Sequence, residues 1–90
     1  MSVKINIHPF LSHLTNDQDI VEVNGSTVGQ CLEQLVARFP QLRKRLFEKG
    51  DTVSRFVDIY VNGESAYPDE LDTLVKDGDE LHIEVIIAGG

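Results

Sequence analysis

The sequence predicts an α+β fold, a mixed four- to five-stranded sheet with one main helix lying across it. Three observations predict it. Residues 3–8 and 81–87 alternate apolar and polar side chains with period two, as strands with one buried face do. Between residues 27 and 40 the apolar spacing changes to that of a helix. Ninety residues, 41% of them apolar and 26% charged, are enough for one domain and one core.

Val3, Ile5 and Ile7 alternate with Lys4, Asn6 and His8 to make the first strand, which Pro9 interrupts. The polar stretch from Ser12 to Asp19 reads as a loop. Ile20, Val21 and Val23 follow as a second strand ending at Asn24-Gly25, and a short loop between neighbouring strands predicts an antiparallel hairpin. Thr27 then stands as an N-cap with Gln30 three residues on, so hydroxyl and amide can satisfy each other's backbone donors. Val28, Cys31, Leu32, Leu35, Val36 and Phe39 fall on one helical stripe that must lie against a sheet. Pro40 disfavours helical geometry at Phe39 and stops the run, and a short second helix is expected from Gln41 with Gly50 just past its end.

Arg55–Val61 is the next strand, with Val57, Ile59 and Val61 on one face and Phe56, Asp58 and Tyr60 on the other. Asn62-Gly63 is a tight-turn signal. Residues 64–76 are mixed and polar, and Leu71, Leu74 and Val75 are expected to tuck a short turn or 3₁₀ segment under the sheet. Asp77-Gly78 turns the chain into the last strand, where Leu81, Ile83, Val85 and Ile87 share one face and His82, Glu84 and Ile86 the other. The order β, β, α, β, irregular segment, β fits the β-grasp, in which the first and last strands lie side by side at the centre of the sheet. Residues 1–87 are expected to form that domain and residues 88–90 a flexible tail.

The formal net charge is −7, and residues 1–50 carry +1 of it against −8 for residues 51–90. Such a field repels nucleic acid and anionic membranes and favours partners with basic surfaces. A single cysteine cannot form an internal disulfide, and the chain has neither a signal-like segment nor an apolar run of roughly 18 residues, so a cytoplasmic protein is expected.

Few residues offer catalytic chemistry. Cys31 sits on the helix's apolar stripe and reads as core. His8, His13 and His82 are not at metal-ligand spacings, and Asp77, Asp79 and Glu80 suit a turn better than a calcium loop, so no metal or bound cofactor is expected. No glycine-rich phosphate loop or nucleophile elbow is present, and the chain does not read as an enzyme. Gly89 and Gly90 remain, following an apolar strand. Lacking side chains, they can pass through a slot that admits only backbone. A carboxylate at Gly90 is inert until activated, most simply as an acyl adenylate made from ATP, after which it accepts sulfur or an amine. Phe56, Tyr60, His82 and Ile86, on the sheet face away from the helix, are the expected partner-docking surface.

Over nearly its whole length the chain resembles the ubiquitin-like sulfur-carrier family, which includes the small subunit of molybdopterin synthase and the thiamine sulfur carrier. The resemblance is carried by Asp77-Gly78-Asp79-Glu80, the apolar last strand and Ala88-Gly89-Gly90. Residues 55–62, Arg-Phe-Val-Asp-Ile-Tyr-Val-Asn, are similar to the subgroup containing the carrier that feeds a cysteine synthase and the small archaeal protein modifiers. The resemblance implies that an E1-like adenylyltransferase activates Gly90 with ATP, that a sulfur donor protein converts it to a thiocarboxylate, and that an acceptor biosynthetic enzyme takes the sulfur. It leaves open a modifier conjugated through Gly90, or the small subunit of molybdopterin synthase. Many relatives carry proline just before the terminal glycines. This chain has Val85-Ile86-Ile87, so its last strand is expected to keep donating to the sheet for longer.

Overall fold

The first and last strands of the described residues lie side by side in the interior of a single five-stranded sheet. The computed structural model describes residues 2–86. Strand β1 (Ser2–Asn6) pairs antiparallel with β2 (Ile20–Asn24) and parallel with β5 (Glu80–Val85); β5 pairs antiparallel with β3 (Val57–Val61), and β3 with the two-residue β4 (Glu64–Ser65). The order β2-β1-β5-β3-β4 puts β5 between two partners. The expected β-grasp, with a mixed sheet and one main helix, is the observed fold.

Helix α1 (Val28–Arg38) covers one face of the sheet. All six residues of its stripe are buried, in one core with Val3, Ile5, Val21, Val23, Ile59, Leu81 and Ile83. Thr27 caps it by accepting the Gln30 N–H at 3.1 Å. The return bond differs from expectation, since Gln30 Oε1 accepts from the N–H of Ser26 at 2.7 Å rather than from Thr27. Helix α1 ends one residue early, with Phe39 as its C-cap.

Four further expectations need correction. Residues 12–19 are not all loop, because a 3₁₀ segment spans Pro9–Leu14, capped by His8 Nδ1 accepting from Phe10 N–H, and it buries Leu11. After a 3₁₀ turn at Pro40–Leu42, α2 runs only from Arg43 to Leu46, ending well before Gly50, which instead takes a positive φ within the 3₁₀ turn Lys49–Asp51. Strand β3 starts at Val57, not Arg55. The segment after β4 contains the expected 3₁₀ turn, Glu70–Asp72, but Leu74 is 77% exposed while Val75 is buried. Residues 73–75 run extended alongside the start of α1, bonded through Val28 N–H to Thr73 O and Val75 N–H to Ser26 O, so successive side chains point opposite ways and only one of the pair can face inward. Gly29 permits the close approach of Leu71, whose carbonyl would lie 2.9 Å from a Cβ there.

The Asn62-Gly63 turn has φ of 50° and 88°, the positive values that a two-residue hairpin loop of this hand requires. It is tied to the start of β5. Asn62 Nδ2 donates to Asp79 Oδ1 at 3.1 Å, Asn62 Oδ1 accepts from Glu80 N–H at 3.0 Å, and Asn62 N–H donates to Glu80 O at 2.8 Å. Asp79, which also accepts the Lys76 N–H at 2.9 Å, is nearly buried. No helix among the described residues is long and apolar enough to cross a membrane.

Candidate functional site

The sheet face opposite α1 is built from the even-numbered residues of β3 and β5. Tyr60 stands directly across from His82 and Asp58 across from Glu84 in the antiparallel register. Together with Gly63 and Ile86 they line a shallow depression. Three of the four expected docking residues, Tyr60, His82 and Ile86, are therefore gathered at one place. Phe56 is not among the residues lining it. It precedes β3, is 52% exposed, and lies under the guanidinium of Arg55, 5.6 Å from the ring centroid.

This surface is less openly apolar than the alternation of residues alone conveys. Ile86 is 48% exposed, but Tyr60 and His82 are only partly exposed, and the buried His82 Nδ1 has no hydrogen-bond partner among the described residues. Asp58 and Glu84 add negative charge between the aromatic pair and Ile86. The carboxylate of Asp58 pushes the Tyr60 hydroxyl's pKa up through its charge and by hydrogen bonding, with a smaller contribution from Glu84, so Tyr60 remains a neutral phenol. These two acids were not singled out from the sequence, although the period-two pattern places them on this face.

The depression borders the end of β5. Ile86 N–H donates to Phe56 O at 2.8 Å, one residue past the end of β5, which proline at that position could not do. The expected extra donation to the sheet is present. Ile87, Ala88, Gly89 and Gly90 lie outside the described residues, as does the expected boundary between domain and tail.

The other candidate residues are structural. Cys31 is fully buried, and burial pushes its thiol pKa up, away from the reactive thiolate. His8 caps a turn. Asp77 accepts the N–H of Ser2 at 2.7 Å, and Asp79 joins the Asn62 network. The depression includes Ile86, the last described residue of the chain.

Known proteins share this fold. A chain of the Amycolatopsis orientalis BexX/CysO complex is 32% identical, with 98% of this chain and 99% of that one covered and a TM-score of 0.88. Haloferax volcanii SAMP1, a small archaeal modifier protein, is 27% identical over the full length of both chains, with a TM-score of 0.87. An Archaeoglobus fulgidus protein provisionally named a sulfur carrier is 33% identical over 64 residues, 66% of this chain and 73% of its own. The ThiS family profile matches residues 8–90, so the chain belongs to the ThiS family, the ubiquitin-like sulfur carriers.

Proposed function

We propose that this protein is a sulfur carrier that acts through Gly90. The observation that carries the reading is that the family match runs to residue 90, through Gly89-Gly90, on a domain whose last strand is held between two partners. The Gly90 carboxylate attacks the α-phosphorus of ATP in the active site of an E1-like adenylyltransferase, releasing pyrophosphate and leaving an acyl adenylate. Hydrosulfide delivered by a sulfur donor protein then attacks the acyl carbon and expels AMP, and the resulting thiocarboxylate passes its sulfur to an acceptor biosynthetic enzyme. The chain supplies the acyl group, while its partners supply the nucleotide site and the groups that stabilise developing charge. The face bearing Tyr60, His82 and Ile86, with Phe56 at its margin, docks the activating enzyme and aims the tail. Gly89 keeps the segment before the reactive carbon narrow.

A second reading, conjugation of Gly90 to lysine side chains, is favoured by the full-length similarity to SAMP1. Activation is the same, and an amine replaces sulfur as the attacking group.

The test is ATP-pyrophosphate exchange with the cognate activating enzyme. Deleting Gly90 withdraws the carboxylate by about 3.3–3.6 Å, and a 1 Å misplacement can cost on the order of 100-fold, so exchange should be lost while the domain melts like the parent. Gly89→Val should behave similarly. Full exchange by the Gly90 deletion would overturn both readings.

A further inference from the structure

The antiparallel register sets Asp58 directly opposite Glu84 on the sheet face away from α1. Side chains so opposed have Cβ atoms about 5 Å apart, and like charges at that separation disfavour the fold. Among the described residues neither carboxylate has an ion-pair partner. Lys4 shares the face, but it stands across from Glu22 and Glu80, four residues back along β5 from Glu84. Arg55 is engaged elsewhere, 3.4 Å from Glu48 and over the Phe56 ring. Asp58 accepts from the Ser65 hydroxyl at 2.9 Å and is hydrogen-bonded with Tyr60, whereas Glu84 is exposed and its carboxylate accepts no hydrogen bond among the described residues.

The walls around this pair suit one kind of cation. Tyr60 and His82 lie two residues along the strands on one side and Ile86 two residues along on the other, and all three line the same depression as the carboxylates. A cation placed over the acids therefore meets aromatic rings on one side and an aliphatic side chain on the other. A guanidinium can lay its flat face on a ring while its N–H groups reach both carboxylates, and its methylene stem can cover Ile86. An ammonium, compact and strongly hydrated, gains less from such walls. A divalent metal ion fits worse, because no group of three metal-ligating side chains occurs among the described residues.

We propose that this depression receives an arginine side chain of the protein that docks on the face, paired with Glu84 and Asp58 and packed between Tyr60 and Ile86. The proposal rests on the docking reading of this face and supplies its chemistry: the activating enzyme presents an arginine at the centre of its contact, ringed by apolar side chains. A second copy of this chain is a poorer occupant, because two such faces brought together oppose their acids. Binding of a guanidinium here requires neither ATP nor Gly90, so its failure and the failure of the carrier reading are separate results.

The experiment is an NMR titration of the isotopically labelled full chain with a short capped peptide holding one arginine between valines. The expected result is shift changes centred on Tyr60, His82, Glu84 and Ile86. Bound guanidinium opposes the Asp58 charge that holds the Tyr60 pKa up, so the phenol should titrate at lower pH in saturating peptide. Glu84→Gln should weaken binding about threefold, and Glu84→Gln with Asp58→Asn, which leaves an acceptor for Ser65, about tenfold or more. With the activating enzyme, Glu84→Gln should raise the KM for this protein in ATP-pyrophosphate exchange about threefold while kcat stays the same. Equal binding by peptides carrying lysine or neutral citrulline in place of arginine, shifts centred elsewhere, an unmoved Tyr60 titration, indifference to the substitutions in either assay, or no binding would each overturn the proposal.

Discussion

Asn62 joins the β3–β4 turn to the entry of β5, and two substitutions there separate its backbone role from its side-chain role. Asn62→Gly keeps a residue suited to φ of 50° and removes two hydrogen bonds, the one donated to Asp79 and the one accepted from Glu80. At about 0.5–1.5 kcal/mol each, their loss should destabilise the domain by about 1–3 kcal/mol. Asn62→Ala removes the same bonds and also forces a Cβ into left-handed backbone, adding about 1 kcal/mol. Urea or guanidinium denaturation of the three proteins measures both differences. NMR titration of Asp79 gives an independent readout. Its pKa is held below the ordinary carboxylate value first by the Lys76 N–H and next by the Asn62 amide, so both substitutions should raise it partway while the Lys76 bond persists. Equal stability of all three proteins, or Asn62→Gly less stable than Asn62→Ala, would refute the reasoning.

Leu35→Ala, at a fully buried position in the middle of α1, should cost ~2–5 kcal/mol in denaturant unfolding, a large share of the roughly 5–13 kcal/mol expected for a domain this size; a loss under 1 kcal/mol would contradict its central place in the core. Because the folded-state pKa of Asp79 is depressed, its stabilising contribution is complete above the unfolded value near ~3.9 and is lost as pH falls through the lower folded value, so Asp79→Asn should flatten the acid limb of the stability profile, and an unchanged limb would contradict this. Ile86→Ser should weaken binding to the activating enzyme while shifting stability by less than about 1 kcal/mol, since the side chain is 48% exposed; a large drop in Tm would instead assign Ile86 to the core.

Local signals carried much of the fold. The period-two runs, the Thr27 cap and the Asn62-Gly63 turn each depend on residues a few positions apart, and the structure has all three. The helical stripe, read the same way, is buried in full. What was misread depends on partners distant in sequence. Leu74 and Val75 are equally apolar neighbours, and only the pairing of residues 73–75 with Ser26–Val28 decides which one turns inward. Asp79 looks like a turn acid until Asn62, 17 residues away, is brought against it. The sheet face away from α1 was legible as a set of even-numbered positions, but the burial of His82 Nδ1 and the guanidinium over Phe56 were not, because they arise from side-chain packing that alternation does not encode.

The central claim is that Gly90 carries activated sulfur. Intact-mass measurement of the full chain after incubation with its activating enzyme, ATP and a sulfur donor tests it most directly. The account predicts replacement of one oxygen by one sulfur, located to Gly90 by fragmentation, dependent on ATP and absent from the Gly90 deletion. An unchanged mass with all components active, or sulfur located on Cys31 instead of Gly90, would contradict it.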